Sequence, residues 1–587
     1  MSLLTELSEM LGNAFAAGGL DSALGDVVVS NRPDLAQFQC NGALAGAKAV
    51  GRSPRDVAAD VVAAIPRDAP FASVEIAGPG FINLTLDDAF LGAHSETRRG
   101  DIRVGLPTPA PRRILVDYGG PNVAKELHVG HLRPAIIGES VKRALRYLGH
   151  DVVGDVHLGD WGAPMGQLIA ELEERHPDLP YFDAASSGPY PAESPVTTAE
   201  LNEVYPVASR KAKDDPERAA AARTATVELQ AGRPGYRALW EHIRRVSIDD
   251  MRRVYDMLEV VFELWHGESR VHDRIAPMIE RLVSSGVAVA SDGAVVVHVA
   301  EPNDNREIPP LMLVTSAGGY TYGTTDLATV DERVGDLAEE EVVYVVDARQ
   351  SLHFEQVFRA ARKGGIAGPD TVLEHAPFGT VNGPGGTPLR TREGDLPLLR
   401  DLIAEAIAGA RRRLDDNELA LGYPGAERDL IAELVGVAAL KYGDLQNHRT
   451  SDYVFDLERF SELLGKTGPY LLYGAVRIKS IMREAAERGL TAGPILAAVH
   501  PRDRALMLEL ARFPEVIDRA AAQRAPNHLA EYAYDVVAAF SRFYEACHIL
   551  REEDPAIQSS WLGLVASTLD HIETLLDLLA IRIPERM

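Results

Sequence analysis

The chain is short of cysteine, of unbroken apolar runs and of positive charge, and each shortage closes a class of function. Cys40 and Cys547 are the only cysteines in 587 residues and lie near opposite ends, too few and too far apart for a cysteine-based zinc site or a disulfide framework. A reducing compartment and no structural metal are expected. No run of about 18 apolar residues occurs, and the first ten residues carry Glu6 and Glu9 in place of a basic segment, so neither a membrane span nor a secretory leader is expected. That reads as a cytoplasmic protein with no membrane partner. With 60 basic against 86 acidic residues, a net charge of -26, the molecule repels polyanions at long range and disfavours non-specific nucleic-acid binding. A specific RNA partner would need local cations, as in Arg244, Arg245, Arg252 and Arg253 or in Arg411, Arg412 and Arg413, although solvated helix faces are the simpler account of either cluster.

What is present is ordinary globular composition, 46% hydrophobic and 25% charged, in a length that at roughly 150 residues per domain suggests about four units. Residues 1–104 mix short helical and strand patterns and end in the alternating stretch Ala77 to Leu86, where Phe81, Asn83 and Thr85 share one strand face. A small α+β domain is expected there. Gly105 to Pro111 is too rich in proline for helix or central strand and reads as a linker. Next come an apolar strand Ile114 to Tyr118, a Gly-Pro turn, a helix from about Val129 towards Gly149, and a strand Asp151 to His157. This is a βαβ unit, the seed of a Rossmann-like parallel-sheet domain over 112–395 whose guest, by default a nucleotide, sits at the strand C-terminal ends. A largely helical insertion is expected at about 165–290. Strand character returns at Ala294 to Val299, Leu311 to Thr315 and Glu341 to Asp347, with a helix around Leu352 to Lys363. Beyond Leu396 the spacing is that of amphipathic helix, as in Leu569, Ile572, Leu575, Leu576 and Leu579, predicting a helical connection at 396–450 and an all-α bundle at 451–587.

The chemistry gathers at His128-Val-Gly-His131, which follows a strand and opens a helix, with Lys125 three residues before it. A helix N-terminus offers unpaired amides and a positive dipole end to phosphate, Gly130 lets a ligand approach the backbone, and two imidazoles and an ammonium can bond phosphate oxygens. Charge on a pentavalent phosphorus would be stabilised there. A second stretch, His157-Leu-Gly-Asp-Trp-Gly162, falls at the end of the next strand, where its turn faces the same crevice and its glycines let a flat ring lie on backbone.

The stretch Tyr118-Gly-Gly-Pro-Asn-Val-Ala-Lys-Glu-Leu-His-Val-Gly-His131 resembles the signature of class I aminoacyl-tRNA synthetases, specifically the arginyl-tRNA synthetases. Gly80 to Asn83, Asp452 to Phe455, Thr467 to Tyr470 and Ile583 to Met587 are similar to further motifs of that family, in family order and over essentially the whole chain. The resemblance implies an ATP-dependent arginine–tRNA ligase. ATP and Mg2+ enter as a substrate complex, arginine is activated to arginyl-adenylate, and the terminal ribose of tRNA takes the arginyl group. It assigns catalysis to Lys125, His128 and His131, and ATP binding to His128, Gly130, His131, Gly159, Asp160, Trp161, Gly162 and Arg390. Arg390 and Arg392 are the only cations of the loop Thr387 to Gly394, where most class I enzymes carry a lysine-rich loop.

The arginine substrate falls to Asp117, Asn122, Tyr322, Asp326 and Gln350. A buried guanidinium demands a carboxylate partner, and Tyr322 and Asp326 are four residues apart, on one face of a helical turn. Phe81 and Asn83 match positions that touch a base of the tRNA D-loop, where an aromatic ring can stack and an amide can read a base edge. The C-terminal bundle, with Tyr532, Tyr534, Phe540, Phe543 and Tyr544, would meet the anticodon, and the resemblance further implies that activation depends on tRNA. A monomer is expected. Gly119, Val156, Ala163, Pro164 and Thr387 depart from the family pattern, which keeps open a second reading: a specialised paralogue, either an inhibitor-resistant duplicate or one that transfers arginine to a non-tRNA acceptor.

Overall fold

Ile114-Leu-Val and Val342-Val-Tyr-Val are short and wholly apolar, the pattern of strands buried on both faces. In the computed structural model, which describes residues 2–32, 35–387, 389 and 396–587, both are central strands. Arg113–Tyr118, Asp151–Asp155, Glu341–Val345 and Val372–His375 form a four-stranded parallel sheet in the order 372–375, 341–345, 113–118, 151–155. From the strand 113–118 the chain turns one way to 151–155 and later returns on the other side as 341–345. The topological switch point therefore lies between Tyr118 and Val345, where such sheets hold their ligands. The helix Leu132–Tyr147 packs closely on the first strand, because a Cβ on Gly138 would lie only 2.2 Å from Cγ of Tyr118.

The insertion is helical, as expected, over Ala163–Arg175, Thr198–Asp214, Pro216–Gln230, Pro234–Met257 and His272–Ser284. Its expected limit near 290 falls inside a hairpin. Ala288–Ser291, Ala294–Val297 and Leu311–Val314 make an antiparallel three-stranded sheet of their own, apart from the parallel one. Asp292 and Gly293 close its first turn with φ of 49° and 79°, the Asp-Gly signal of a two-residue hairpin. Helices Tyr322–Gly335 and Ser351–Lys363 share an apolar core with this small sheet.

The N-terminal unit is α+β. Strands Val27–Val29, Phe38–Cys40, Phe81–Leu86 and Phe71–Ala77 form an antiparallel sheet in that order, with helices Leu3–Ala17, Gly42–Val50, Pro54–Ala64 and Asp88–Arg98. The stretch Ala77 to Leu86 is not one strand. Gly78 and Gly80, at φ of 51° and 144°, turn it into a hairpin, and the alternation holds only from Phe81 onward, with Ile82, Leu84 and Leu86 in the core.

Beyond Leu399 the described residues are almost wholly helical, with Gly425–Leu445, Gly468–Glu487, Asn527–Ala546 and Pro555–Leu578 the longest elements. The two-residue strand Tyr453–Val454 pairs in parallel with Val381–Asn382, so the expected boundary at 451 cuts a segment that completes the catalytic domain. No helix among the described residues is long and apolar enough to cross a membrane.

Candidate functional site

A cavity of about 660 Å³ opens at the switch point, lined by Asp117 to Gly120, His128 to His131, Val345 to Asp347, Gln350 and Phe378 to Asn382. The two histidines flank a single 3-10 turn, Val129–His131, ahead of the helix Leu132–Tyr147. Each caps the other's backbone. Nδ1 of His128 accepts from the Gly130 amide at 3.1 Å, and Nδ1 of His131 accepts from the His128 amide at 3.1 Å. With both Nδ1 atoms committed as acceptors, each neutral ring carries its proton on Nε2. Burial holds both rings neutral, with Lys125 adding to it: burial first pushes His131 down to about 3, and burial and then Lys125 lower His128. The turn thus presents two uncharged donors, while its own amides are already bonded, Gly130 to His128 and His131 to the His128 carbonyl at 2.8 Å. The segment Pro397 to Leu399 secures it from behind, Val129 donating to the Pro397 carbonyl at 2.9 Å and Leu399 to that of Leu127 at 2.8 Å.

Lys125 does not line the cavity. Its Nζ lies 4.2 Å from the centre of the Tyr205 ring, on the insertion helix Thr198–Asp214, and partial burial lowers its pKa. The neighbouring Glu126 amide donates to Oδ1 of Asn202 at 2.9 Å, so the same helix grips the loop twice.

The second glycine stretch has partners within the chain. Gly159 exchanges backbone bonds with Pro121 and Val123, each 3.1 Å. The fully buried Asp160 accepts from Arg244 at 2.9 Å and from the amide and hydroxyl of Ser269 at 2.9 and 2.8 Å. Trp161 donates to His272 at 3.2 Å and stands edge-on to Trp240. None of Gly159, Asp160, Trp161 and Gly162 lines the cavity; they anchor the insertion. The wall opposite the histidines is Phe378 to Asn382 instead, a stretch not singled out from the sequence because it carries no charged side chain. Arg390 and Arg392 lie outside the described residues.

Asp117 sits at the cavity floor with Oδ2 2.6 Å from Nη2 of Arg333, which also meets Asp155 at 2.8 Å. Burial raises the Asp117 pKa against the pull of Arg333. His157 adjoins Asp155, and although burial opposes a charge there, the carboxylates push its pKa up to about 9. Asp117, Asp155 and His157 have ligand atoms within 4.8 Å of one another, but the Arg333 guanidinium already serves both carboxylates as their cation. Gln350 ends the turn Ala348–Gln350 and lines the cavity. Asn122 is exposed, its Oδ1 so close to Gly159 that a Cβ there would lie 2.0 Å from it.

Tyr322 and Asp326 occupy the first turns of the helix Tyr322–Gly335, Tyr322 72% exposed. Oδ2 of Asp326 meets Nε2 of His353 at 2.5 Å. A further carboxyl, not singled out from the sequence, joins them. Glu268 follows a segment that runs parallel beside the second strand through bridges Asp155–Leu264 and Leu158–Gly267. Burial, reinforced by Asp326 and Asp160 against His157, pushes its pKa up to about 7. Glu268 lies 111 residues from His157 with no motif around it, so pairing along the sheet edge was the only signal.

Phe81 is half-buried, and Asn83 is 6% exposed with Oδ1 accepting from Gln39 at 2.8 Å. The basic cluster at 244–253 is partnered within the chain: Arg244 by Asp160, Arg245 by the Ala192 carbonyl, Arg252 by the Trp265 ring and Arg253 by Asp250. Gly119, one of the departures, has φ of 91°, and a Cβ on it would lie 3.1 Å from both Phe262 and the Tyr255 hydroxyl, so this backbone favours glycine.

Three family models match the chain: tRNA synthetases class I (R), catalytic domain, over residues 100–457; DALR anticodon binding domain over 471–587; and arginyl tRNA synthetase N terminal domain over 1–86. A protein of Alkaliphilus oremlandii named arginine–tRNA ligase is 47% identical over 587 residues, covering 100% of each chain. One of the same name from Maricaulis maris is 49% identical over 588 residues, again covering 100% of each. The crystal structure of arginyl-tRNA synthetase from Plasmodium falciparum has the same fold, with a TM-score of 0.80 at 24% identity, covering 100% of this chain and 99% of that one.

Proposed function

The chain belongs to the arginyl-tRNA synthetase family, and from that premise we propose how its cavity performs the reaction. It is a class I ligase that activates arginine with ATP and transfers it to tRNA. A paralogue serving another acceptor finds no support among relatives that carry one name over their full length.

ATP enters the cavity as its Mg2+ complex, with adenine against Phe378 to Asn382 and phosphates at the turn Val129–His131. The observation that carries this reading is the pair of neutral, mutually capped imidazoles lining a cavity at the switch point. Their Nε2 donors and the positive end of the helix Leu132–Tyr147 would stabilise negative charge that grows on the α-phosphate as the arginine carboxylate attacks and pyrophosphate leaves. Lys125 would join them by leaving the Tyr205 ring. Asn122 and Gln350 take the α-amino group, and Asp326, Glu268 and Tyr322 take the guanidinium. Asp117 acts through Arg333 to shape the floor. Phe81, half-buried, would offer tRNA a ring, and Asn83, 6% exposed, would act on a base only through Gln39, to which it is bonded at 2.8 Å. Two free buried cysteines suit a reducing cytoplasm, and the chain acts as a monomer because N-terminal, catalytic and C-terminal units already bury a shared core.

The test is arginine-dependent exchange of pyrophosphate into ATP, with and without tRNA, followed by acylation of tRNA with arginine or citrulline. Exchange that needs arginine, together with rejection of uncharged citrulline, is expected. Exchange indifferent to arginine would refute the assignment of the pocket.

A further inference from the structure

Arg133 stands two residues after His131 and is 1% exposed, yet it lines the cavity. Its guanidinium leaves its own helix for the segment that follows the helix Gly425–Leu445. Nη1 donates to the Ser451 carbonyl at 2.8 Å and Nη2 to that of His448 at 3.3 Å. Nε lies 3.4 Å from Oδ1 of Asp444, itself 1% exposed, and the guanidinium carbon is 5.2 Å from the centre of the Tyr453 ring.

The same segment holds the opposite wall of the cavity. The Gly379 amide donates to the Arg449 carbonyl at 2.8 Å, the Thr380 amide to Oδ1 of Asp452 at 2.7 Å, and the Phe455 amide to the Asn382 carbonyl at 2.8 Å. Val381–Asn382 and Tyr453–Val454 pair as strands between these bonds. One wall carries the histidines and the other faces them, and residues 444–455 are bonded to both. A buried ion pair contributes little net stability relative to apolar groups of the same size. What Arg133 supplies is a fixed spacing, since a planar guanidinium with several donors tolerates little displacement of its acceptors.

We propose that Arg133 is a positioning residue for the nucleotide, tying the histidine turn to segment 444–455 and so setting the distance between the two cavity walls. This rests on the reading that the cavity takes ATP. Arginine, held by Asp326, Glu268 and Asn122, would not feel the loss directly.

The experiment measures kcat and the KM of each substrate in tRNA-supplemented pyrophosphate exchange for Arg133→Gln, Arg133→Lys, Asp444→Asn and, as control for the cavity, His131→Ala. Arg133→Gln is expected to raise the ATP KM roughly tenfold or more, with the arginine KM within about twofold. Arg133→Lys should recover part of the loss, and Asp444→Asn should show a smaller rise of the same kind. A purely structural role would lower the amount of active protein without separating the two KM values. Equal shifts in both, or an ATP KM in Asp444→Asn indistinguishable from the parent's, overturn the proposal even where an Arg133 variant fails to fold. If His131→Ala leaves ATP kinetics untouched, the cavity assignment has failed; if it alters them while Arg133→Gln does not, only the brace has.

Discussion

Glu268 is where residue chemistry makes the sharpest demand. A carboxyl pushed up to about 7 by burial and by Asp326 is half protonated near neutrality in the free enzyme, whereas a guanidinium partner needs it ionised. The arginine KM is therefore expected to rise as pH falls through about 7, with the ATP KM steady, and Glu268→Gln should raise the arginine KM while removing that dependence. Pyrophosphate exchange over a pH series with tRNA present, each substrate varied in turn, gives the answer, and a pH-independent arginine KM in the parent would take Glu268 out of the pocket. The sign for stability is opposite. The raised pKa favours the folded state while the group is protonated, and this contribution is lost as pH rises from the unfolded value of 4.5 through about 7. Without arginine, Glu268→Gln should thus gain stability over the parent as pH increases, read from denaturant midpoints. Asp326 differs because it already has a partner in His353. Asp326→Asn is expected to weaken arginine use by about 2 to 5 kcal/mol in kcat/KM with melting unchanged, and arginine kinetics equal to the parent's would remove Asp326 from the site.

Two glycines separate packing from positioning at the scale of elements. A Cβ on Gly138 would meet the root of the Tyr118 ring at 2.2 Å, and Tyr118 is held by Glu139 at 2.8 Å and by the Val261 carbonyl at 3.0 Å. The helix Leu132–Tyr147 must then lift off the sheet. Gly138→Ala is expected to cost roughly 1 to 3 kcal/mol, seen as a lower denaturant midpoint. A Cβ on Gly159 meets only the end of the Asn122 side chain, at 2.0 Å, which can rotate away. Gly159→Ala should therefore melt like the parent but raise the arginine KM about tenfold, and an unchanged arginine KM would show that Asn122 does not hold the α-amino group.

For the whole molecule, the C-terminal helices are fastened to the catalytic sheet rather than tethered beside it. The guanidinium of Arg524 pairs with Glu341 and, at 3.0 Å, with Glu374, one on each of two parallel strands, while Arg504 holds Asp88 of the N-terminal unit at 2.7 Å. Arg524→Met leaves Glu374 without this cation and Glu341 with Arg112 alone, at 2.7 Å, and is expected to destabilise the protein by roughly 1 to 3 kcal/mol, measured by urea unfolding. The route from the helical unit to the histidine turn is direct, since Pro397 to Leu399 bond Leu127 and Val129 and then open the helix Leu399–Asp416. A tRNA gripped by that unit can bias the turn through this connection. Exchange is expected to be negligible until tRNA is added, and brisk exchange by the protein alone would refute the coupling. Truncation at 451 cannot test it, because Tyr453–Val454 pair with Val381–Asn382, which line the cavity.

The parallel sheet, the helical character of the insertion and of everything beyond Leu396, and the histidine turn were legible in the sequence, because each depends on local periodicity or on residues a few places apart. His128 and His131 cap each other across three residues, so their geometry is written in the motif itself. What the chain could not disclose locally is which distant segments meet. Asp160 and Trp161 carry the composition of a ligand-binding turn, yet Arg244, Ser269 and His272 claim their side chains. Glu268 acquires its chemistry only from burial beside Asp326, and Arg133 only from carbonyls more than 300 residues away. The sequence by itself determined the elements and the histidine turn, since hydrogen bonding and amphipathic spacing act over short range. Only the tertiary structure decided which polar groups face the cavity and which are used up holding it together, because that depends on burial and on partners brought in from elsewhere in the chain.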